Sequence, residues 1–550
     1  MATVKPNEVI AAYHRLDGNK TAVAEELGLH RDTVRKMLRE AGIDKPLHGG
    51  RAEYMEPNVK PLPAKGKVKR YLLTSAQNNT KVHGRFLENL EAYADYVDAE
   101  IMVSRISYNK NAYQGKSVKP GRGPTAEDMA DLWFDPKIEK YVCDDPVVHG
   151  SCQWQLAPTL LWCAEMNTQP TAERPLSGLY TYSRQSSGIF PHAKIAMESV
   201  PVAKGEDPKF IYTTGSVTHR NYIQKKAGLK ADFHHAYGAL IAEVNSDGEW
   251  WVRQINCSGK GSFYEIPAGA DGTLLVEDGE VYADQGVAGI NWGDVHTAEI
   301  DPVALAANWG VGGILDTLRP QVQFMHDVFS MRSRSHHDMR AFGKMYQKFL
   351  DGIDSVEAEV AETAALLHTA ARDWCNTVVV NSNHDRHGER WLDEEDYRRD
   401  LLNSEFFLEA QLERVRSLRA RSKDPSRTPW AFLEWALRRA QCPAKTVFLP
   451  RDASYIICKD KSGGIECGWH GDEGPNGSRG TTRGLVNSGR RVNKGHDHTA
   501  TIMDGVYSAG ACQRSFEYMH GPTSHSISHI ITYPNGKRTI ITLRNGKWRA

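Results

Sequence analysis

Apolar positions along this chain follow three different rhythms. Over residues 7–42 they recur at helical spacing. Val9, Ile10, Tyr13 and Leu16 share one helical face behind a cap at Asn7, and a second helix follows the cap residue Asn19 as far as Leu27. Gly28 breaks it, and a third helix is expected over His30–Ala41. Ala24, Gly28, Val34 and Met37 are spaced as in a helix-turn-helix. The small residue lets two helices approach, glycine takes the turn, and the later apolar pair locks the second helix onto the first. The rhythm then stops. Residues 44–67 carry Pro46, Gly49, Gly50, Pro57, Pro61, Pro63 and Gly66, which predicts a semi-extended linker.

From residue 68 onward, short apolar runs alternate with helical stretches. Tyr71–Leu73, Phe86–Val97 and Ile101–Val103 open as strand, helix, strand. Strand-like runs follow at Lys194–Val202 and Phe210–Thr214. A hairpin joins Ala239–Val244 to Trp250–Ile255 through Ser246, Asp247 and Gly248. Residues 286–550 alternate again: strands at Val287–Trp292, Val322–Met325 and Thr377–Val380, helices at Pro302–Leu318 and Val356–Trp374. An Arg-rich helical insert covers 394–441, strands recur at Thr446–Leu449 and Tyr455–Cys458, and the end reads as a β meander. The expected organisation is an all-α head (1–43), a linker (44–67), an α/β domain (68–285) and a second α/β domain (286–550). Polar clusters at 75–80 and 218–221 follow strands in the first α/β domain. They match no known mechanism, and a structural or oligomerisation role is as well supported as a second site.

Composition narrows the class. With 40% hydrophobic and 25% charged residues the chain reads as globular. No apolar run approaches the ~20 residues a membrane span needs, and the N-terminal stretch lacks an apolar signal core. The nine cysteines are scattered without a Cys-x-x-Cys pair, against a zinc ribbon or disulfide framework and in keeping with a reducing cytoplasm. The net charge of zero hides an asymmetry: +5 over residues 1–70, +8 over 479–550 and −13 between them. In the basic head, His30, Arg31, Thr33, Arg35 and Lys36 sit at the exposed start of the third helix, where a major groove would meet them. The competing reading is a three-helix bundle for protein contact.

The candidate chemistry lies at strand ends. Val378–Val380 delivers Asn381-Ser382-Asn383-His384-Asp385, Asp294-Val295-His296 ends an earlier apolar run, and Gly495-His496-Asp497-His498 comes later. Two divalent cations sharing a site need a bridging carboxylate and a ring of oxygen and imidazole ligands. Asp294 and His296, two apart, reach one side of an extended segment. Asp327 after the next strand can bridge, and Asn383 offers an amide oxygen. His496, His498 and His470 close the shells, with His387, Asp472, His520 and His525 as alternatives to His470.

The ordered set Asp-x-His, His-Asp-x-Phe, Asn-His-Asp, His-Gly and Gly-His-Asp-His resembles the calcineurin-like metallophosphoesterases over about 286–505. The resemblance implies a two-sheet sandwich. It assigns one metal to Asp294, His296, Asp327 and His498, and the other to Asp327, Asn383, His470 and His496. Two family glycines are replaced, by His326 and Ser382. A metal-activated hydroxide would attack phosphorus while His384 protonates the leaving oxygen and Asp385 orients its imidazole. The mixed ligand set suits Mn²⁺ best, with Fe and Zn as further fits. The Asp-Val-Phe after the bridging position is similar to the SbcD-like nucleases of that superfamily. Arg479, Arg483, Arg490, Arg491 and Lys494 precede His496, and Arg414, Arg416, Arg419, Arg421 and Lys423 lie in the insert, which reads equally as a solvated scaffold. A metal-dependent DNA nuclease, acting on double-stranded DNA as a homo-oligomer, is the function implied. A small-molecule or protein phosphatase and a DNA-binding regulator are the alternatives. The architecture resembles a tailed-phage protein that degrades host DNA in the host cytoplasm.

Overall fold

The computed structural model describes residues 4–16, 19–41, 56–108, 133–514, 516 and 519–550. Its contacts divide it into two units, residues 1–56 and 57–550. Half of the expected linker, residues 44–55, lies outside the described residues.

In the first unit, helices Pro6–Arg15, Lys20–Glu26 and Arg31–Glu40 enclose Val9, Ala12, Val23, Ala24, Val34 and Leu38. Asn19 accepts hydrogen bonds from the backbone N–H groups of Thr21 and Ala22, as a capping residue should. Asn7 does not cap the first helix. Pro6 takes the first helical position, where its missing N–H costs nothing, and Lys5 precedes it. Gly28 adopts φ +63°, the left-handed turn that glycine takes without strain. Leu38, rather than Met37, is fully buried.

The second unit is mixed α/β with several sheets. A six-stranded sheet holds Val447–Phe448, Asn376–Val379, Val322–Met325, Gly289–Asn291, Ser528–Thr532 and Arg538–Thr542 in that spatial order. The first four are parallel, and the final hairpin adds two antiparallel strands. The parallel strands are covered on both faces, which explains their unbroken apolar runs. Met325 and Val379 face the helices, including Val356–Ala370 and Phe432–Arg439. Phe324, Val378 and Val380, pointing the other way, meet Ile465 and Cys467. Each such buried side chain contributes about 1.5–3 kcal/mol.

An eleven-stranded sheet runs from Asn58–Val59 to Ile456–Ile457. It joins strands of residues 153–213 to strands of residues 456–508 through the pairing of Ile502 with Met197. Strands from both sides of the expected 285/286 boundary therefore share one sheet. Asn58 and Val59, placed in the linker by their proline-rich surroundings, pair with Trp154 and Gln155. A four-stranded sheet (Trp250–Asn256, Gly238–Asn245, Val68–Gln77, Ala99–Ile106) and a small three-stranded sheet complete the unit. The helix expected over Pro302–Leu318 divides into Pro302–Trp309 and Ile314–Leu318, because Gly310, Gly312 and Gly313 interrupt it. Among the described residues no helix is long and apolar enough to cross a membrane.

Candidate metal centre

Three parallel neighbours of the six-stranded sheet end at the same edge, and each releases a loop there. Asp294 and His296 follow Gly289–Asn291, Asp327 follows Val322–Met325, and Asn383 follows Asn376–Val379. The eleven-stranded sheet brings the rest: His470 follows Ile465–Glu466, and His496 and His498 follow Arg491–Lys494. Backbone hydrogen bonds join the first two loops, Val295 N–H to His326 O at 2.9 Å and His296 N–H to Asp327 O at 2.7 Å. Four of these residues hold left-handed backbone: His296 (φ +42°), Asp327 (+46°), His496 (+72°) and His498 (+52°). Each costs on the order of 1–2 kcal/mol, and such strain clusters where function requires it.

The side chains converge. Asp294, His296, Asp327 and His498 each offer a ligand atom, all within 4.8 Å of one another. His498 Nε2 lies 3.0 Å from Asp294 Oδ2, His296 Nε2 3.6 Å from Asp327 Oδ2, and His470 Nε2 3.2 Å from Asp327 Oδ2. The His496 ring centre stands 5.2 Å from that of His470, and its backbone N–H donates to Asp294 Oδ2 at 2.7 Å. His296 is held by its far nitrogen, with Nδ1 3.0 Å from Ser330 Oγ, which donates in turn to Glu299. That leaves Nε2 facing the carboxylates, as a metal-binding imidazole requires.

Burial sets the electrostatics. Burial opposes the charge on Asp294 and Asp327, yet His470 and other imidazoles beside them hold both carboxyls below their usual range. Burial also opposes protonation of His470, and the two carboxylates overcome it, lifting its pKa to about 9. Burial pushes His296 and His326 down to about 3, so both are neutral. Three buried oxygens here lack hydrogen-bond partners: Asp294 Oδ1, Asp327 Oδ1 and Asn383 Oδ1. A buried polar atom without a partner costs about 1–3 kcal/mol. These three belong to expected ligands, so the donor set fits divalent cations.

His384 stands beside this cluster, its ring centre 4.8 Å from that of His296. Its orienting partner differs from the expectation. Nδ1 meets the Ser330 carbonyl at 3.2 Å. Asp385, whose pKa burial raises to about 7, instead accepts from Ser382 N–H at 2.9 Å and Asn381 Nδ2 at 3.3 Å. It therefore folds its own loop, because the helix Asp385–Glu394 starts at that residue and turns the carboxylate back toward the strand end.

The other expected residues scatter. Lys494 is buried and donates to Gly495 O and Asp497, so it braces the His496 loop and offers no surface for DNA. Arg490 pairs with Glu466 and Arg491 with Asp460, while Arg479 and Arg483 are exposed. Arg414 and Arg416 of the insert pair with Asp393 and Glu413, the behaviour of a solvated scaffold. In the separate head, His30, Arg31 and Lys36 are exposed and Thr33 and Arg35 half-buried. Of the alternatives to His470, Asp472 pairs with Arg386, His520 is exposed, and His525 supports the centre with its ring 5.8 Å from His498. Sequence reasoning missed Ser330, Glu299 and the Ser330 carbonyl. They carry no motif, and only the folded loop brings them to the imidazoles. A cleft of about 510 Å³ opens beside the centre, lined by Asn381, Arg386, Arg451, Trp469 and His470.

Fold and site together define a mixed α/β protein with a carboxylate–imidazole centre at the carboxyl ends of a parallel sheet. The chain is 36% identical over 493 residues to Protein A1 of Escherichia phage T5, covering 88% of this chain and 83% of that one. It belongs to the family of that phage protein. No family model matches the chain, and no solved structure does.

Proposed function

We propose that this protein is a calcineurin-like, dinuclear-metal phosphodiesterase that cleaves double-stranded DNA. The observation that carries the reading is the set of orphaned, buried oxygens on Asp294, Asp327 and Asn383, gathered at the ends of parallel strands beside His470. Asp294, His296, Asp327 and His498 would hold one cation, and Asp327, Asn383, His470 and His496 the other. Mn²⁺ suits this mixture of oxygen and imidazole best, with Fe and Zn as further fits. When bound, such a pair supplies hydroxide near neutral pH and offsets the charge growing on a phosphoryl group. The protein's own contribution is positional. His384 Nδ1–H donates to the Ser330 carbonyl, so in the doubly protonated ring the Nε2–H would be left to donate to the leaving oxygen.

DNA is supported by the basic helix-turn-helix head and by membership of a phage protein family. Assembly into a homo-oligomer is supported by the helix Ser404–Lys423. It exposes Leu408, Leu412, Val415 and Leu418 at helical spacing, an apolar stripe that water disfavours.

The test is cleavage of linear and supercoiled double-stranded DNA with Mn²⁺ by wild type and His384→Ala. Wild type should cut, and the variant should lose roughly 10²–10⁴-fold while keeping its metals. Hydrolysis of a phosphomonoester with no DNA cleavage would move the activity to a phosphatase. Equal cleavage by both proteins would remove His384 from the chemistry.

A further inference from the structure

Beyond the two-metal centre, a second group of imidazoles lies close by. His336 and His337 belong to the loop that follows Asp327, and His387 occupies the first turn of the helix Asp385–Glu394, three residues after His384. Ring centres are 3.7 Å apart for His336 and His337, 4.6 Å for His336 and His387, and 6.2 Å for His337 and His387. One nitrogen from each lies within 4.8 Å of the others. Zn–N bonds of about 2.0–2.1 Å in a tetrahedron bring nitrogens to about 3.4 Å, so small side-chain rotations would close the set.

Packing alone does not account for the trio. Nδ1 of His336 and Nδ1 of His387 are buried without a hydrogen-bond partner. A buried nitrogen without a partner is destabilising, and a phenyl ring would fill the same space without that cost. Burial, with His384 and His336 adding to it, lowers His387 to about 3, and burial with His337 also lowers His336, in the direction that favours a ligating imidazole. The loop is held firmly. Glu359 accepts from the N–H groups of Arg332 and Ser333, Arg334 forks onto Asp400, and Lys348 bridges Arg332 O and Asp338. His337 is exposed, which gives an ion its entry path.

We propose that His336, His337 and His387 form a third, mononuclear site for a zinc-type divalent cation. Three imidazoles without a carboxylate select borderline cations such as Zn²⁺ over Mn²⁺, in contrast to the carboxylate-rich centre beside it. Three protein ligands leave a fourth position open, as in catalytic rather than structural zinc sites. The His387 ring is 4.7 Å from that of His384. On the phosphodiesterase reading, the open position would therefore bind a phosphate oxygen of the substrate near the leaving group.

The full chain, stripped with chelator, is dialysed against Zn²⁺ and its metal content measured, with Co²⁺ spectra reporting tetrahedral ligation. Wild type should hold three equivalents, His336→Ala/His337→Ala two, and Asp327→Asn should keep the third. The exposed single variant His337→Gln, which no core contact constrains, should weaken that one equivalent by at least roughly tenfold. Zinc content and affinity unchanged in both histidine variants would overturn the site, even with the two-metal centre intact. One equivalent in wild type, lost with the histidine variants and unaffected by Asp327→Asn, would uphold it while removing the two-metal reading.

Discussion

At Gly495 a single methyl group decides whether the centre can assemble. A Cβ there would lie 2.1 Å from Asp294 Oδ1 and 3.1 Å from His326. Asp294 cannot retreat, because Oδ2 is held by the His496 N–H and stands beside His498. Gly495→Ala should therefore displace the carboxylate proposed as a ligand while leaving the sheets intact. We expect activity to fall on the order of 100-fold with metal affinity reduced and the circular dichroism spectrum unchanged. Activity and metal binding at wild-type levels would show that Asp294 has no ligand role. That these carboxylates, the amide and the imidazoles could meet was legible in the sequence because each follows an apolar run; that they hold metal is a proposal. The role of Asp385 was not legible. The order Asn-His-Asp cannot reveal that the helix start turns its carboxylate onto Ser382 and Asn381 while a carbonyl from another loop holds His384.

Among the elements, the hairpin Gly238–Asn245/Trp250–Asn256 carries a buried charge network away from the metal centre. Arg253 meets Glu243 at 2.8 Å and Glu265 at 2.5 Å, Arg70 reaches Glu243 at 3.0 Å, and Tyr93 donates to Glu265 at 2.7 Å. Burial opposes the charge on Glu243, but Arg253 and Arg70 outweigh it and lower its pKa to about 2. The folded pKa thus lies below the unfolded value of about 4.3, so this stabilisation is complete above about pH 5 and is lost as pH falls toward 2. Thermal melts should show the wild-type midpoint dropping through that window. Glu243→Ala should lower the midpoint already at pH 7, by about 3–5 kcal/mol of stability, since it leaves Arg253 short of a buried partner. It should also flatten the acid slope, and an unchanged slope would assign the acid sensitivity to other carboxylates. The hairpin and the four parallel strands were readable, since each is a local apolar run with its own turn or helix. The eleven-stranded sheet was not, because it depends on pairings such as Ile502 with Met197 and Asn58 with Trp154, which no local periodicity encodes.

At the scale of the whole molecule, the proposed division of labour separates chemistry from DNA capture. Residues 1–56 form their own compact unit around Val9, Val23, Val34 and Leu38, and every expected metal ligand lies in 57–550. On that proposal, hydrolysis of a small phosphodiester would engage only the candidate centre, whereas a long polyanion would engage every basic surface it can reach. Each phosphate contact made by the head releases condensed counterions and adds about 0.9 to the slope of log affinity against log salt. Arg31, Arg35 and Lys36 are the candidates for such contacts on the third helix. Deleting residues 1–50 should therefore weaken DNA binding and flatten its salt dependence by about 2–3 in slope. Turnover of a small diester such as bis(p-nitrophenyl) phosphate should stay at the wild-type rate. Titration of both proteins with labelled duplex across a salt series, alongside that turnover assay, separates the outcomes. An unchanged salt slope would leave the helix-turn-helix to protein contact. Loss of small-diester turnover would mean that the head is needed to form the catalytic centre, and the separation of capture from chemistry would fail.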